Sequence, residues 1–254
     1  MSTPSTARAA TTDWPAHVSM HHESDPAQWV PVLARHIVGR LQHALNQRGR
    51  AQLAVSGGKS PVALFEALGQ IDFDWARVKV TLVDDRQVPE DHAASNARLV
   101  RQHLLRGHAA QARLVSMVGP GHPASTQDWN ERVSRADHAL IELGPADVTV
   151  LGMGPDGHFA SLFAGSPQLA QALDLQCVHA CMAVTLPAPP AEAPFDRITQ
   201  TLAHLARSGL WVLPLIGHEK MAVLRRSLPQ TPMQSPVSAL LQPNRTPLEL
   251  WITP

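Results

Sequence analysis

The chain has 254 residues, with 21 Lys and Arg against 21 Asp and Glu, so its formal net charge is zero. This length suits one large α/β domain or two small ones, and it can bury a sizeable core. A balanced charge argues against work on nucleic acid or at a membrane surface, because both tasks need a positive field. We therefore expect no nucleic-acid partner and no membrane contact, and an anionic ligand would need a local pocket.

The cysteine count and the first residues indicate the compartment. Two cysteines in a chain of this length give no disulfide framework and are typical of a reducing environment. Residues 1–14 lack the apolar core of a signal peptide, and no run approaches the ~20 apolar residues that cross a bilayer. We predict a cytoplasmic protein with a flexible N-terminal segment over 1–24 and a single domain over 25–254.

Predicted helices and strands alternate along the chain. Asp25-Pro26 begins an amphipathic helix over 26–48, which Gly49 ends. A strand over 51–55 and a helix over 62–68 follow. Further strands are predicted at 78–83, 114–116, 148–151, 176–186, 210–216 and 248–252, and further helices at 97–105, 127–143, 169–173, 200–207 and 220–227. This alternation predicts an α/β fold with a doubly wound, mostly parallel, Rossmann-like sheet and helices on both faces.

The strand over 51–55 runs into the turn Ser-Gly-Gly-Lys-Ser-Pro at 56–61. The two glycines allow a tight turn with open backbone N–H groups, and Ser60 is predicted to cap the following helix. A helix start presents unpaired N–H groups and the positive end of its dipole, and Lys59 adds a charge, which favours a phosphate. The spacing is not that of a Walker loop, and an ordinary strand-to-helix turn is the alternative.

Another strand end carries a run of charged residues. Asp84, Asp85 and Arg86 follow the strand over 78–83, either as a charged cluster at the functional edge of the sheet or as a solvated turn. Ser95 and Asn96 are predicted to cap the next helix.

Further along, Cys177 and Cys181 flank His179 in a predicted strand. They lack a fourth ligand at a recognisable spacing, so we expect two buried cysteines rather than a metal site.

The most informative stretch follows the strand over 148–151. It contains three glycines, with Asp156 and His158 at the tip, and then Ser161, Leu162 and Phe163 in a predicted short helix. A glycine loop that presents one carboxylate and one imidazole at a strand end predicts a reaction site. Its Gly-x-Gly-x-x-Gly spacing formally matches a dinucleotide fingerprint. Pro155 interrupts that pattern, and no acidic residue closes a second strand at the expected distance. A structural turn with a surface His is the other alternative.

The run GMGPDGHFASLFAG at 152–165 resembles the signature loop of the 6-phosphogluconolactonases, which belong to a larger group that includes the glucosamine-6-phosphate deaminases. The turn at 56–61 is similar to the family's Ser-Gly-Gly-Ser-Thr-Pro. The run at 84–86 is similar to its Asp-Glu-Arg, which Val-Pro, a His and a Ser-Asn pair follow. Asp85 is one methylene shorter than the family's Glu. Similar Arg-Ile-Thr and Gly-x-x-Lys motifs end at 199 and 220, and the resemblance covers about residues 25–254.

This resemblance implies hydrolysis of 6-phospho-D-glucono-1,5-lactone to 6-phosphogluconate, the second step of the oxidative pentose phosphate pathway, with no cofactor. His158 would take a proton from the attacking water, and Asp84 or Asp156 would orient the ring. Loop N–H groups or Arg86 would stabilise the oxyanion. The residues expected to bind substrate and its phosphate are Ser56, Gly57, Gly58, Lys59, Ser60, Arg86, Arg197 and Lys220.

Two other functions compete with this one. Glucosamine-6-phosphate deamination also uses an Asp and a His, but the segment after His158 and the Asp-Asp-Arg run resemble the lactonases more. A sugar-phosphate sensor that binds without turnover is the second, although such regulators usually carry a DNA-binding domain, for which the segment before the first helix is too short. The expected partner is a phosphosugar lactone, and the expected assembly is a monomer or a weak homodimer.

Overall fold

The computed structural model describes residues 14–23, 25–121, 125–187, 195–242 and 246–253. The strands are β1 (Val18–His22), β2 (Ala51–Val55), β3 (Val78–Leu82), β4 (Asp84–Arg86), β5 (Arg113–Val115), β6 (Val148–Val150), β7 (Cys181–Val184), β8 (Arg197–Gln200), β9 (Trp211–Ile216) and β10 (Leu248–Thr253). The helices are α1 (Pro26–Arg48), α2 (Val62–Gly69), α3 (Asn96–His103), α4 (Thr126–Leu143), α5 (Leu169–Leu173), α6 (Leu202–Leu205) and α7 (His218–Ser227). Short 3₁₀ turns cover Trp75–Arg77, Gly107–Gln111 and Pro236–Leu241.

Seven parallel strands form the main sheet in the order β1-β10-β9-β6-β2-β3-β5. The chain moves outward from β2 through β3 to β5, and it then returns to β6 and moves outward in the other direction. The strand order therefore reverses between β2 and β6. Folds of this kind bind ligands beyond the carboxyl ends of the strands at such a reversal.

Apolar side chains cover both faces of this sheet. Along β2, Leu53 and Val55 belong to one buried cluster, while Ala54 between them belongs to another, as the two-residue period of a strand requires. The first cluster includes side chains of α1 and α2, and the second includes side chains of α5, α6 and α7. The predicted fold, a mostly parallel sheet with helices on both faces, is confirmed.

Helix α1 follows its sequence signals. The Asp25 side chain accepts a hydrogen bond from the backbone N–H of Ala27 at 2.9 Å, and Gly49 ends the helix at φ +72°.

Near the middle of α1, His36 Nε2 lies 2.8 Å from Glu249 Oε2 on β10, which also accepts a bond from Trp251 Nε1 at 3.0 Å. Burial raises the pKa of Glu249, but these hydrogen bonds and the nearby imidazole charges outweigh it and lower that pKa.

A second sheet of three antiparallel strands, β4-β8-β7, lies beside the first. Its strand β4 consists of the charged run at 84–86, for which the sequence left a charged cluster at the edge of the sheet and a solvated turn as alternatives. The backbone ladder pairs Asp84 with Thr199 and Arg86 with Arg197. This pairing brings two predicted anion-binding arginines onto neighbouring strands.

Several expectations differ from the structure. Residues 18–22 of the predicted flexible segment 1–24 form strand β1, which pairs with β10. Residues 1–13 and 24 lie outside the described part of the chain. Ser161 to Phe163 form a turn with an isolated bridge between Phe159 and Leu162, not a helix. The strand expected over 176–186 is limited to β7. No helix in the described ranges is long and apolar enough to cross a bilayer.

Candidate active site

A cavity of about 220 Å³ opens at the carboxyl edge of the main sheet, where the loops after β2 and β6 lie next to each other. Eight of the predicted site residues line it: Ser56, Gly57, Gly58, Ser60, Asp84, Arg86, His158 and Lys220. Lys59, Asp156 and Arg197 are not part of this lining. The structure thus brings together side chains from four separate stretches of the sequence.

His158 is held on two sides. Its Nδ1 lies 2.5 Å from Asp156 Oδ1, and its ring stacks on Phe163 with the ring centroids 4.0 Å apart. A proton on Nδ1 donates to the carboxylate, and that hydrogen bond leaves Nε2 as the basic nitrogen. In the described chain Nε2 makes no hydrogen bond, and the ring is part of the cavity wall.

Two glycines allow the close packing of this loop. A Cβ atom on Gly154 would lie 2.2 Å from Nδ1 and Cε1 of His158, so any side chain there would displace the ring. Gly157 has φ +83°, and its Cβ would lie 2.4 Å from Ser235 Oγ. The Gly157 carbonyl also accepts a bond from Val237 N at 2.8 Å. The loop is therefore fixed from outside by the segment around Pro236–Leu241.

Asp156 is a carboxylate at neutral pH. Burial alone raises its pKa, but the hydrogen bond from His158 and the charge of that ring outweigh burial, so the pKa falls below its ordinary value. The ring of His158 consequently has a negative partner at Nδ1, which favours the protonated ring that forms when Nε2 takes a proton.

Asp84, the other candidate partner of His158, contacts Ser161 and Asn96 instead. It is buried, and its Oδ2 accepts a hydrogen bond from Ser161 Oγ at 2.5 Å, while Asn96 Nδ2 lies 3.4 Å from Oδ1. Among the described contacts of His158, the carboxylate partner is Asp156 and not Asp84. Ser161 itself is 1% exposed and is not part of the cavity wall.

The neighbouring Asp85 has a structural role. Its two oxygens accept bonds from the backbone N–H groups of Arg86 at 2.8 Å, Asn96 at 2.7 Å and Ala97 at 3.1 Å, so it binds the first turn of α3. Burial raises its pKa to about 6, against the lowering effect of those three hydrogen bonds. A side chain one methylene longer would not reach the same donors without a shift of the strand.

The cations lie on two sides of the cavity. Lys220 Nζ donates to Ser60 Oγ at 3.3 Å, and burial lowers the pKa of Lys220. Ser60 therefore contacts Lys220 instead of capping α2, which has no side-chain cap. Arg197 is buried on β8, and burial followed by the charge of Arg86 lowers its pKa to about 10. Lys59 is exposed.

Four residues outside the set of predicted site residues also shape the site. Asn96 and Trp29 line the cavity, Phe163 stacks on His158, and Ser161 binds Asp84. Asn96 was visible as half of the Ser-Asn pair, whose interval from Asp84 matches the family pattern. Trp29 lies in the first turns of α1, and no local sequence feature connects it to the other site residues.

The two cysteines lie in different environments. Cys181 is buried, and burial together with the charge of Asp137 raises the pKa of its thiol. Cys177 is partly exposed, so the expectation of two buried cysteines is wrong for this residue. His179 Nδ1 lies 2.7 Å from Asp137 Oδ2. Within the described ranges, no group of three or more His, Cys, Asp or Glu is placed so that it could hold a metal ion.

A doubly wound sheet with a His–Asp pair and several cations at its carboxyl edge defines an α/β protein suited to a small anionic molecule. The chain belongs to the family described as glucosamine-6-phosphate isomerases/6-phosphogluconolactonase, whose model matches residues 24–249. The resemblance seen in the sequence is therefore confirmed.

Relatives match over nearly the whole chain. A 6-phosphogluconolactonase of Pseudomonas aeruginosa is 44% identical over 238 residues, which cover 93% of this chain and 95% of that protein. One from Neisseria meningitidis is 39% identical over 221 residues, covering 87% and 93% of the two chains. The crystal structure of a 6-phosphogluconolactonase from Shewanella baltica is similar with a TM-score of 0.84 and 33% identity, covering 95% and 100%.

Proposed function

We propose that the protein hydrolyses 6-phospho-D-glucono-1,5-lactone to 6-phospho-D-gluconate, the second step of the oxidative pentose phosphate pathway. It is a carboxylic ester hydrolase, like the relatives that match almost its full length. The observation that carries the chemistry is the imidazole of His158 in the cavity wall, with Asp156 on Nδ1 and no protein partner on Nε2 within the described chain.

His158 acts as the general base on water. The water oxygen forms a bond to the lactone carbonyl carbon while its proton passes to Nε2, and the carbonyl electrons move onto oxygen. The oxyanion then collapses, the bond from this carbon to the ring oxygen breaks, and the ring oxygen takes the proton back from the imidazolium. Asp156 keeps Nδ1 protonated and stabilises the positive ring, as the 2.5 Å contact supports.

The remaining predicted residues bind the substrate. Lys220 and Ser60 lie together on one wall, and the glycine turn between β2 and α2 offers backbone N–H groups beside them. Arg86 reaches the cavity from β4, next to Arg197 on β8. Three cations around a cavity with one buried carboxylate, Asp84, favour a phosphorylated sugar over a neutral one. Lys59 contributes only its charge.

Deamination of glucosamine 6-phosphate is the nearest rival. It also uses a carboxylate and an imidazole, so the contact of His158 alone does not distinguish the two reactions. The lactonase-like features are the run Ser161 to Phe163 before Gly165 and the Arg at position 86, where deaminases carry Tyr. A sensor without turnover is the other rival, and His158 placed on Asp156 as a base favours an enzyme over it.

The test is hydrolysis of freshly made lactone, with glucosamine 6-phosphate as the parallel substrate. We expect wild-type protein to hydrolyse the lactone, His158→Ala to lose at least a hundredfold in kcat/KM, and His138→Ala to match wild type. His138 is an exposed histidine on α4 that bonds only to the backbone of its own helix. Ammonia release would identify a deaminase, and binding without turnover would identify a sensor. A His158→Ala variant with most of its activity would refute the base.

The same assay distinguishes the role of Asp156 from that of Asp84. Asp156→Asn should lower kcat more than Asp84→Asn if Asp156 orients the ring, because only Asp156 contacts His158. The single domain over 25–254, the cytoplasmic location and the monomer or weak homodimer stay predictions from the sequence.

A further inference from the structure

Asn96 is the buried polar residue at which three parts of the site meet. It is the first residue of α3, it is 1% exposed, and it lines the cavity. Its backbone N–H donates to Asp85 Oδ1 at 2.7 Å, so the start of the helix is fixed to β4. Its side chain is therefore placed by the fold rather than by its own rotamer preference.

Both ends of its amide group have a partner. Oδ1 accepts a hydrogen bond from Arg86 Nη1 at 2.8 Å, and Nδ2 donates to the backbone carbonyl of Asp84, also at 2.8 Å. These partners determine the orientation of the amide, because a guanidinium only donates and a carbonyl only accepts. Rotating the amide by half a turn would oppose donors to donors and acceptors to acceptors.

The glycine turn after β2 packs directly against the same amide. A Cβ atom on Gly57 would lie 1.8 Å from Asn96 Oδ1 and 2.2 Å from its Cγ, so only a glycine allows this approach. The turn, strand β4 and helix α3 consequently share one side chain. A substitution at Asn96 therefore alters a contact of each of the three.

Arg86 needs a hydrogen-bond acceptor such as Asn96 Oδ1 to hold its guanidinium in place. It pairs in register with Arg197 on the neighbouring strand, and the two like charges repel each other. Arg86 is half-buried and Arg197 is buried, so water screens this repulsion only in part. Nη1 of Arg86 is held by Asn96 Oδ1 and by the carbonyl of Ala94 at 2.7 Å. In the part of the chain that the structure describes, Nη2 makes no hydrogen bond, and this nitrogen is left for a ligand.

We propose that Asn96 is a positioning residue for substrate binding: it holds the guanidinium of Arg86 beside Arg197, so that Nη2 donates to an anionic oxygen of the substrate. The inference rests on the proposed lactonase function for the identity of that substrate. Without Asn96 Oδ1, Arg86 keeps one carbonyl partner and turns away from Arg197. Substrate binding then weakens while the water-activating pair of His158 and Asp156 is unchanged.

A double-mutant cycle in kcat and KM tests this role on wild type, Asn96→Ala, Arg86→Ala and the double variant. We expect each single change to raise KM at least tenfold with a smaller change in kcat, and Asn96→Ala to cost less than threefold in the Arg86→Ala background. Asn46→Ala is the matched control, since Asn46 is exposed on α1 and bonds only to Gln42. It should match wild type.

A structural role alone predicts a different result. In that case Asn96→Ala would lower kcat/KM by the same factor in both backgrounds, and this additivity would overturn the proposal. So would a wild-type KM in Arg86→Ala. Wild-type protein that does not hydrolyse the lactone would count against the proposed function instead. The cycle is then measured as Kd for 6-phosphogluconate, which needs no turnover, and an additive result in Kd overturns the role of Asn96.

A second variant covers the case in which Asn96→Ala does not fold. Asn96→Asp keeps the volume beside Gly57 and the acceptor for Arg86, but it opposes an oxygen to the Asp84 carbonyl. We expect this variant to keep KM within threefold of wild type, because Arg86 keeps its acceptor. A KM as high as that of Arg86→Ala would overturn the proposal.

Discussion

The variant Gly154→Ala tests how tightly the loop controls the base. The added Cβ would lie 2.2 Å from the His158 ring, whereas ordinary contacts begin at about 3.4 Å, so the ring must move by about 1.2 Å. A displacement of about 1 Å at a catalytic group costs on the order of a hundredfold. We therefore expect kcat/KM to fall about a hundredfold, or about 2.7 kcal/mol in transition-state stabilisation.

The matched control is Gly152→Ala in the same loop, where the new Cβ would meet Ser56 Cβ at an ordinary 3.6 Å. Both variants are measured for lactone hydrolysis and for thermal unfolding. We expect Gly152→Ala to stay within a few fold of wild type and both proteins to unfold cooperatively. The reasoning is refuted if Gly154→Ala keeps more than a third of the activity, or if the two variants lose equal amounts.

Three further variants probe stability. Asp85 has a folded pKa of about 6 against an ordinary 3.8, so its contribution is full below pH 3.8 and is lost as pH rises through 6. The stability advantage of wild type over Asp85→Asn, measured in urea, should shrink by about 2 kcal/mol between pH 4 and 7. Glu249 has a lowered pKa, so wild type should lose stability relative to Glu249→Gln as pH falls below 4.5. Gly57→Ala should lower both Tm and kcat/KM, because its Cβ would collide with Asn96.

Opposite trends would contradict these expectations. An advantage over Asp85→Asn that grows with pH would mean that the buried carboxyl is ionised at a low pH in the folded protein. A constant difference between wild type and Glu249→Gln across the acid range would mean that His36 and Trp251 do not stabilise the carboxylate. A Gly57→Ala variant with wild-type activity would mean that the turn can move away from Asn96 without cost.

The elements that could be predicted from the sequence are those whose stability is local. Helix α1 carries Asp25 at its start and Gly49 at its end, and both bounds match the prediction. The strand over 51–55 is fully buried, and four of its five residues are apolar. Their signals lie within the elements themselves.

Strands β1 and β4 carry no such signal. Three of the five residues of β1 (Val18–His22) are polar and none of the five is buried, and they form a strand only because β10 offers its edge. Strand β4 is made of Asp84, Asp85 and Arg86, which are typical of turns, and its ladder with β8 depends on a segment more than 100 positions away. Pairing energy that distant in sequence cannot be seen in local composition.

The sequence indicated which residues belong to the candidate site, but it did not indicate which of them contact one another. The sequence indicated His158 as the base but left Asp84 and Asp156 as equal candidates for its partner, and only the folded loop shows the contact with Asp156. The role of Asn96 was out of reach for the same reason. In the sequence, an asparagine that only caps a helix looks the same as an asparagine that also bonds to several segments. The two cases differ only in which groups the fold places next to the side chain.

The pairing of β1 with β10 has a consequence for how the chain is made. Residues 18–22 leave the ribosome before the other described strands, but their partner at 248–252 is synthesised after all of those strands. Strand β1 must therefore wait, unpaired, until the rest of the sheet exists, and the loop that its docking closes spans most of the chain. Until then β10 is an open edge that another copy could occupy. Removing residues up to 24 would make that open edge permanent, so such a truncated protein should aggregate during expression even with its entire active site present.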